Sequence, residues 1–246
     1  MPFLGLGVQL GHTLPPSGGG GAYSNTYSLS LDGTDDYAEV TGLGLSGATS
    51  FSAWFNPQAS ASYYPILHSD PSGIYILFIG GALYVYLYDN TNGGYLTKNY
   101  TLNQSIGDWH HIVVTVDATS NLSALKLYID GSEVSAGNAG KSGTYNSFNV
   151  PSTNPLDIGA RTSGNIYAQQ LMDEVAIFGS ELSASDVTAI YNSGVPDDLS
   201  SYSPVGWWRM GDTGTDFGTT TITDAGSGGN NASLENGATF STNVPT

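Results

Sequence analysis

Leu29-Ser-Leu-Asp-Gly-Thr-Asp-Asp-Tyr37 is the segment most informative about the fold. Its two leucines alternate with a serine, which is the period of a half-buried strand, and Asp32-Gly33 then turns the chain. Asp35 and Asp36 follow, so that several carboxylates and backbone carbonyls share one tight loop. Two interpretations are open, ordinary turn chemistry or an oxygen-rich site for a hard cation such as calcium. Both predict a strand that enters an acidic loop.

The composition favours strands joined by many turns. The 246 residues include 33 glycines and 16 tyrosines but only 5 lysines and arginines, which fits a single large all-β domain. The 21 acidic residues give a formal net charge of -16, so phosphate backbones and anionic membrane surfaces would be repelled. We therefore expect no nucleic-acid partner and no membrane insertion. The sequence has no cysteine, which excludes disulfides and thiolate zinc sites.

The first 21 residues differ in character from the rest of the chain. Residues 1–14 form an apolar arm, and residues 15–21 form a linker of two prolines, a serine and four glycines. The arm lacks a basic start, which argues against a secretory signal. It either packs against another subunit or a larger assembly, or it is a disordered start or a strand on its own domain. The residues expected to dock are Phe3, Leu4, Leu6, Val8 and Leu10.

Strand patterns follow one another from Tyr27 onward. The apolar segments Ile74–Ile79 and Leu83–Tyr88 are joined by Gly80-Gly81, which predicts a β-hairpin. One helix stands out against this background. Ser183-Ala-Ser-Asp186 has the form of a capping box with Asp in place of the usual Glu, and apolar residues follow at helical spacing.

Six landmarks in chain order resemble a known family. They are Leu29-Ser-Leu-Asp-Gly-Thr-Asp-Asp-Tyr37, Phe51-Ser-Ala-Trp54, Trp109-His-His-Ile-Val-Val-Thr115, Leu127-Tyr-Ile-Asp-Gly131, Asp157-Ile-Gly159 and Met172-Asp-Glu-Val-Ala-Ile-Phe178. Together they resemble the concanavalin A-like lectin/glucanase superfamily, in particular laminin-G-like jelly-roll domains of the kind found in phage virion proteins. The resemblance covers residues 27–194. It implies an all-β fold, a two-sheet antiparallel jelly-roll sandwich with one short helix, which we expect over residues 22–246.

The tail departs from the family order. Trp207-Trp-Arg-Met-Gly-Asp212 and Asp224-Ala-Gly-Ser-Gly-Gly-Asn230 are similar to a segment that precedes the first landmark strand in many members. The tail is either a permuted edge that folds back onto the same sandwich or the start of a second module. We favour the fold-back, because residues 205–246 are too few for an independent jelly roll.

The resemblance also implies a structural calcium, which is present in many members of the family. Carried over position by position, its ligands would be Asp32, Gly33 and Asp173. The alternative for Asp173 is a carboxylate that accepts hydrogen bonds from loop amides without a metal.

Catalysis is not expected. Related glucanases use carboxylates on alternate residues of one strand, and the chain has no such run. Asp173 and Glu174 are adjacent, which predicts side chains on opposite faces of a strand. His110-His111 is not expected to bind a metal for the same reason. Trp54 and Trp109 are expected to be buried core anchors.

The candidate contact residues are aromatic and amide side chains in expected loops. Aromatic rings stack on sugar C–H surfaces and amides bond sugar hydroxyls, although tyrosine-rich loops also suit a protein interface. The candidates are Tyr63, Tyr64, Tyr95, Asn99, Tyr100 and Tyr145.

The leading functional hypothesis is a noncatalytic virion structural protein, either a capsid decoration protein or part of a fibre or appendage. Its arm would bind other virion proteins, and its jelly roll would face outward for weak attachment to host surface glycans. Homo-oligomerisation is compatible with this arrangement. The alternative is a secreted or cell-surface, calcium-dependent lectin located outside the cell. A glycoside hydrolase ranks last because the carboxylate pair is missing.

Overall fold

The structure is a computed structural model that describes residues 23–71, 73–102, 105–135 and 137–246. The predicted arm and linker, with the docking residues Phe3, Leu4, Leu6, Val8 and Leu10, lie outside the described residues.

The described chain is built mainly of short strands. They are β1 (Ser28–Asp32), β2 (Tyr37–Val40), β3 (Leu45–Ser46), β4 (Thr49–Pro57), β5 (Tyr63–His68), β6 (Ile74–Ile79), β7 (Ala82–Asp89), β8 (Gly94–Thr101), β9 (His110–Val116), β10 (Lys126–Ile129), β11 (Ser132–Glu133), β12 (Asn138–Ser142), β13 (Asn149–Val150), β14 (Leu156–Ile158), β15 (Ala160–Arg161), β16 (Ile166–Tyr167), β17 (Gln169–Phe178), β18 (Gly206–Trp208), β19 (Thr221–Ile222), β20 (Ala232–Glu235) and β21 (Thr239–Ser241). Helix α1 spans Ala184–Tyr191, and 3-10 turns lie at Leu122–Ala124, Thr162–Gly164, Asn192–Gly194 and Leu199–Tyr202.

Two large sheets contain nearly all of these strands. Sheet A has eight strands in the order β11-β10-β9-β4-β17-β1-β21, with β18 beside β17. Sheet B has eleven strands in the order β12-β8-β7-β6-β5-β14-β2-β20-β19, with β3 and β13 attached. Neighbouring strands along both paths are antiparallel. The predicted two-sheet antiparallel sandwich is confirmed.

Alternation along the strands separates a core side from an outer side of each sheet. In β7, Leu83, Val85 and Leu87 are fully buried, whereas the tyrosines between them are half-buried on the opposite side. Buried side chains of both sheets, such as Phe51 in β4 and Ile76 in β6, form one continuous cluster. Because apolar burial drives folding, this cluster fixes the register of the strands.

The β6–β7 hairpin is confirmed. Its turn residues Gly80 and Gly81 have φ values of 55° and 84°, and a two-residue type I′ turn requires positive φ at both positions.

The capping box of α1 is also confirmed. The backbone N–H of Asp186 donates to Ser183 Oγ at 3.2 Å, and the N–H of Ser183 donates to Asp186 Oδ2 at 2.9 Å. Val187 and Ile190 of the helix pack with Val113 and other residues on the outer side of sheet A, in a second buried cluster. Among the described residues, no helix has the length and apolar character needed to cross a bilayer.

Residues 205–246 add strands to both sheets. β18 pairs with β17 and β21 with β1 in sheet A, while β20 pairs with β2 in sheet B. Trp208 and Met210 are fully buried in the main cluster. The tail therefore shares the core of residues 28–178.

Candidate functional site

An aromatic surface covers the outer side of sheet B. The alternation that buries the leucines and valine of β7 turns Tyr86 and Tyr88 outward. The register places Tyr75 of β6 opposite Tyr86, and Tyr95 of β8 opposite Tyr88. We call these four half-buried side chains the tyrosine platform.

The rings form a row that crosses four strands. The ring centroids of Tyr95 and Tyr88 are 5.2 Å apart, those of Tyr88 and Tyr75 are 5.1 Å apart, and Tyr75 stacks on His68 at 4.3 Å. Tyr86 flanks the row, 5.6 Å from Tyr95 and 6.2 Å from Tyr75. Because neighbouring strands lie about 4.8 Å apart, the row is about 14 Å long. Its rings are held by strands, and their mutual packing restricts their rotamers.

Polar side chains lie at the end of the row, near β5 and the neighbouring strand β14. Asp157 lies opposite His68 in the strand register. Asp70 Oδ1 accepts a hydrogen bond from the Tyr75 hydroxyl at 2.9 Å, and Asp70 Oδ2 lies 3.7 Å from His68 Nδ1. The Arg161 guanidinium lies over the Tyr75 ring, 5.6 Å from its centroid. We call His68, Asp70, Asp157 and Arg161 the polar pocket.

Burial shifts the pKa values of two groups in the polar pocket, His68 and Asp157. It lowers the pKa of His68 to about 4, so the imidazole is neutral near neutral pH. Burial also raises the pKa of Asp157, although the N–H and hydroxyl of Thr162 donate to its Oδ2 at 3.1 Å and 2.7 Å. The pocket therefore combines a neutral ring, two carboxyl groups and one cation.

Several buried polar atoms of the pocket have no hydrogen-bond partner among the described residues. They are both ring nitrogens of His68, Asp70 Oδ2, Asp157 Oδ1 and Arg161 Nε. His68 and Asp157 are only 1% and 3% exposed. Folded proteins rarely leave such atoms unpaired.

The predicted contact residues lie largely outside loops. Tyr63 begins β5 and is exposed, whereas Tyr64 and Tyr145 are buried in the main core cluster. The prediction that Tyr64 and Tyr145 contact a ligand is therefore wrong, because both rings are packed in the core.

The other three candidates lie in strand β8 rather than in a loop. Tyr95 belongs to the tyrosine platform. Tyr100 packs against the main core cluster, and Asn99 Oδ1 accepts a hydrogen bond from the Asn138 N–H at 3.0 Å. Sequence reasoning missed Tyr75, Tyr86 and Tyr88, although the alternation in Leu83–Tyr88 already indicated which side of the strand they occupy.

The predicted calcium ligands do not converge. Asp32 pairs with Gln169, and Asp173 lies four residues further along β17, about 13 Å away at about 3.3 Å per residue. The Asp173 carboxylate instead accepts hydrogen bonds from Asn25 Nδ2 at 2.9 Å and from the Glu174 N–H at 2.8 Å. The prediction that Asp32, Gly33 and Asp173 bind one calcium is wrong, because the strand register places Asp173 far from the other two residues.

A different set of carboxylates meets in the opening loop. Oxygens of Asp32, Asp35 and Asp36 lie within 4.8 Å of one another. The Asp32 N–H donates to Asp36 Oδ2 at 3.1 Å, and the Thr34 N–H donates to Asp32 Oδ1 at 2.7 Å. These oxygens are of the type that calcium prefers, and two of the carboxylates also serve the turn.

Asp173 and Glu174 belong to a buried polar cluster. The sequence predicted that these two side chains lie on opposite faces of the strand. The regular alternation is interrupted here, because the register shifts after Asp173 and Glu174 has a φ of 44°. Glu174 accepts hydrogen bonds from Trp207 Nε1 at 2.6 Å and from Arg209 Nε at 3.2 Å. Burial raises the pKa of both carboxyl groups. Because both are enclosed and occupied by protein donors, they offer no surface to a ligand.

The two tryptophans of the landmarks differ in burial. Trp54 is buried and stacks on His111 at 4.7 Å and on Tyr191 at 5.7 Å. Trp109 is half-buried, and its Nε1 donates to Asn243 Oδ1 at 3.1 Å. The prediction that Trp109 is a buried core anchor is therefore wrong.

The chain matches a known family over more than half of its length. A laminin G domain model, described as the concanavalin A-like lectin/glucanases superfamily, matches residues 32–188. The chain belongs to this superfamily. No curated protein matches the chain.

Solved structures share the fold of this laminin-G-like domain at low sequence identity. A protein from Bacteroides ovatus, provisionally assigned as carbohydrate binding, matches with a TM-score of 0.65 and 16% identity over 91% of this chain and 62% of its own. The ligand binding domain of botulinum neurotoxin serotype D, solved with N-acetylneuraminic acid, matches with a TM-score of 0.51 and 19% identity over 69% of this chain and 42% of its own. The heptameric SAP-like pentraxin of Limulus polyphemus matches with a TM-score of 0.50 and 12% identity over 68% of this chain and 82% of its own. The laminin-G-like chain thus spans less than two thirds of the first two proteins.

Proposed function

We propose that this laminin-G-like domain is a noncatalytic carbohydrate-binding module whose ligand lies on the tyrosine platform. The observation that carries the proposal is the row of outward rings formed by Tyr95, Tyr88 and Tyr75 on three neighbouring strands. Aromatic faces provide flat apolar surface for the C–H side of a sugar, and their hydroxyls provide hydrogen bonds. Strands hold the rings in place before binding, which lowers the entropy cost of recognition.

The charge of the chain favours a neutral glycan. The net charge of -16 repels anionic polymers at long range. Similarity to the Bacteroides ovatus protein and to the toxin domain supports carbohydrate binding in general, because both share this fold.

The carboxyl groups of Asp173 and Glu174 are hydrogen-bonded within the protein, which supports a noncatalytic role. Glycoside hydrolysis requires two carboxyl groups that flank the scissile bond and reach the substrate. Asp173 accepts hydrogen bonds from Asn25 and from the Glu174 N–H, and Glu174 accepts them from Trp207 and Arg209. Neither carboxyl group lies on the tyrosine platform. We expect bound glycans to remain intact, and an increase in reducing ends during incubation would contradict this part of the proposal.

Binding should depend on the platform rings. Replacing Tyr88 by Ala should weaken glycan binding about tenfold, or about 1.4 kcal/mol, because one stacking surface is lost. Tyr86→Ala provides a second test. Phe217→Ala is the matched control, because Phe217 is an exposed aromatic residue, 54% accessible, beside sheet A. A glycan array and isothermal titration would measure binding, and thermal unfolding would verify that each variant is folded. Equal affinity in Tyr88→Ala, Tyr86→Ala and the parent would refute the platform.

We further propose that the module is displayed on a virion or a related particle. The apolar arm and the linker, residues 1–21, support this part, because they combine a docking segment with a spacer. Deleting residues 1–21 should abolish incorporation into particles while glycan binding persists. Normal incorporation of the truncated protein would contradict docking through the arm.

The second candidate is a secreted or cell-surface, calcium-dependent lectin. The carboxylates of Asp32, Asp35 and Asp36 favour it, because they offer oxygen ligands close together. Loss of glycan binding in chelator, and recovery with calcium, would support this candidate over particle display alone.

A further inference from the structure

The polar pocket concentrates unpaired buried atoms at one end of the tyrosine platform. His68 and Asp157 are more than nine-tenths buried, yet His68 Nδ1, His68 Nε2 and Asp157 Oδ1 have no partner among the described residues. Asp70 Oδ2 and Arg161 Nε also have no hydrogen-bond partner there, although their residues are less buried and Asp70 Oδ2 lies 3.7 Å from His68 Nδ1. Other parts of the fold satisfy their buried carboxylates. Asp89, for example, accepts hydrogen bonds from the N–H groups of Thr91, Asn92 and Asn146. Convergent polar groups beside an aromatic surface are typical of a ligand-orienting site.

The unpaired atoms define what would satisfy them. Asp70 Oδ2 and Asp157 Oδ1 are acceptors when ionised, Arg161 Nε is a donor, and neutral His68 supplies one donor and one acceptor. A pair of adjacent sugar hydroxyls has a matching pattern. Its two O–H groups donate to the carboxylates, and its oxygens accept from Arg161 or His68.

Charged sugars match the pocket less well. A carboxylated sugar would place another negative charge beside Asp70 and Asp157, with Arg161 as the only cation in the pocket. A protonated amino group could bond the carboxylates, but it offers no acceptor to Arg161 and would lie beside its positive charge. The neutral diol pairs more of the buried atoms than either alternative.

The β15–β16 hairpin lies on one side of the polar pocket. The β15–β16 hairpin packs against β5, and its Arg161 lies over Tyr75. Tyr167 of the same hairpin lies 6.4 Å from Tyr37 of β2. The outer side of sheet B is thus covered beyond β5, whereas the platform continues from Tyr75 toward β8.

We propose that the polar pocket binds the terminal residue of a neutral glycan through a vicinal diol, with the rest of the chain lying along the tyrosine platform. The site then recognises chain ends rather than chain interiors. This inference rests on the proposed function, because it assumes that the platform binds glycans.

Substitutions in the pocket test the inference. Asp70→Asn keeps an acceptor for the Tyr75 hydroxyl but removes the negative charge, and Arg161→Met keeps the aliphatic stem but removes the donor. Each should weaken binding to neutral glycans at least about tenfold, the effect expected for lost buried charge-assisted hydrogen bonds. Asp157→Asn is a third variant, and Asp108→Asn, an exposed loop carboxylate, is the matched control. Thermal unfolding would verify that each variant is folded.

The probes are an array of neutral, acidic and amino glycans, a periodate-treated duplicate, and short and long fractions of linear glucose, mannose, galactose and xylose polymers. We expect binding to neutral glycans, its loss after periodate cleaves the diols, and one bound protein per polymer chain at either length. Three results would refute the role of the polar pocket while leaving the proposed function intact. They are unchanged affinity in the folded pocket variants, a preference for acidic or amino glycans, and several bound proteins per long polymer chain. Failure of the parent to bind any glycan would refute the proposed function and this inference together.

Discussion

His111 should make the fold sensitive to acid. Its side chain is 1% exposed in β9, its Nε2 lies 2.8 Å from Ser52 Oγ, and its ring stacks on Trp54 at 4.7 Å and on Tyr191 at 6.0 Å. Burial lowers the pKa of His111 from 6.5 to about 3. The folded state therefore holds the neutral ring, whereas the unfolded chain takes up a proton as the pH falls below 6.5.

The sign and size of the effect follow from this difference. Because the unfolded state binds more protons, the free energy of unfolding falls as the pH drops from 6.5 toward 3. The loss is about 1.4 kcal/mol per pH unit, or about 2 kcal/mol by about pH 5. His68, with a pKa of about 4, acts in the same direction. Asp173 and Glu174 have raised pKa values, so the folded state binds their protons more tightly than the unfolded state does. The stability that they contribute is present at low pH and is lost as the pH rises, which opposes the effect of the histidines.

The variant His111→Gln isolates one histidine from this sum, since its amide can still bond Ser52 Oγ but does not titrate. Urea unfolding at about pH 7 and about pH 5, followed by circular dichroism, gives the free energy of unfolding. We expect the parent to lose about 2 kcal/mol more than the variant between these two pH values. Ile112→Val is the control, because it costs about 1 kcal/mol at both pH values without removing a titrating group. An identical pH dependence in parent and His111→Gln would refute the argument.

Two further predictions concern the opening loop. Gly33→Ala should lower the melting temperature, because φ is +82° and an added Cβ would lie 2.6 Å from the backbone nitrogen of Gln169. The cost should exceed about 1 kcal/mol, and a variant as stable as the parent would show that the backbone relaxes there. If calcium binds at Asp32, Asp35 and Asp36, calcium should raise the melting temperature of the parent but not of Asp35→Asn. A parent that responds neither to calcium nor to chelator would eliminate this site.

Local patterns predicted individual elements, and the family resemblance predicted the sandwich that they form. The alternation in Leu29–Leu31, the Gly80-Gly81 turn and the Ser183 cap each depend on residues that are close in sequence, and each follows from strand period, turn geometry or capping chemistry. The landmark series then placed these pieces in one family.

The candidate site was predicted less well because it depends on register between strands. Tyr95 meets Tyr88, and His68 meets Asp157, only after β8 pairs with β7 and β14 pairs with β5. The failure of the calcium set has the same cause, since Asp32 aligns with Gln169 rather than with Asp173. Position along a partner strand cannot be obtained from composition or from local periodicity.

The tyrosine platform and the hydrophobic core are two consequences of one pattern. In Leu83–Tyr88, burial of Leu83, Val85 and Leu87 requires that the tyrosines between them face outward. A slip of one residue would move those rings into the core and expose the aliphatic side chains, so the packing of the core fixes the position of the tyrosine platform. A loop-borne site would lack this coupling. The packing that keeps the sandwich folded therefore also keeps Tyr86 and Tyr88 aligned with Tyr75 and Tyr95.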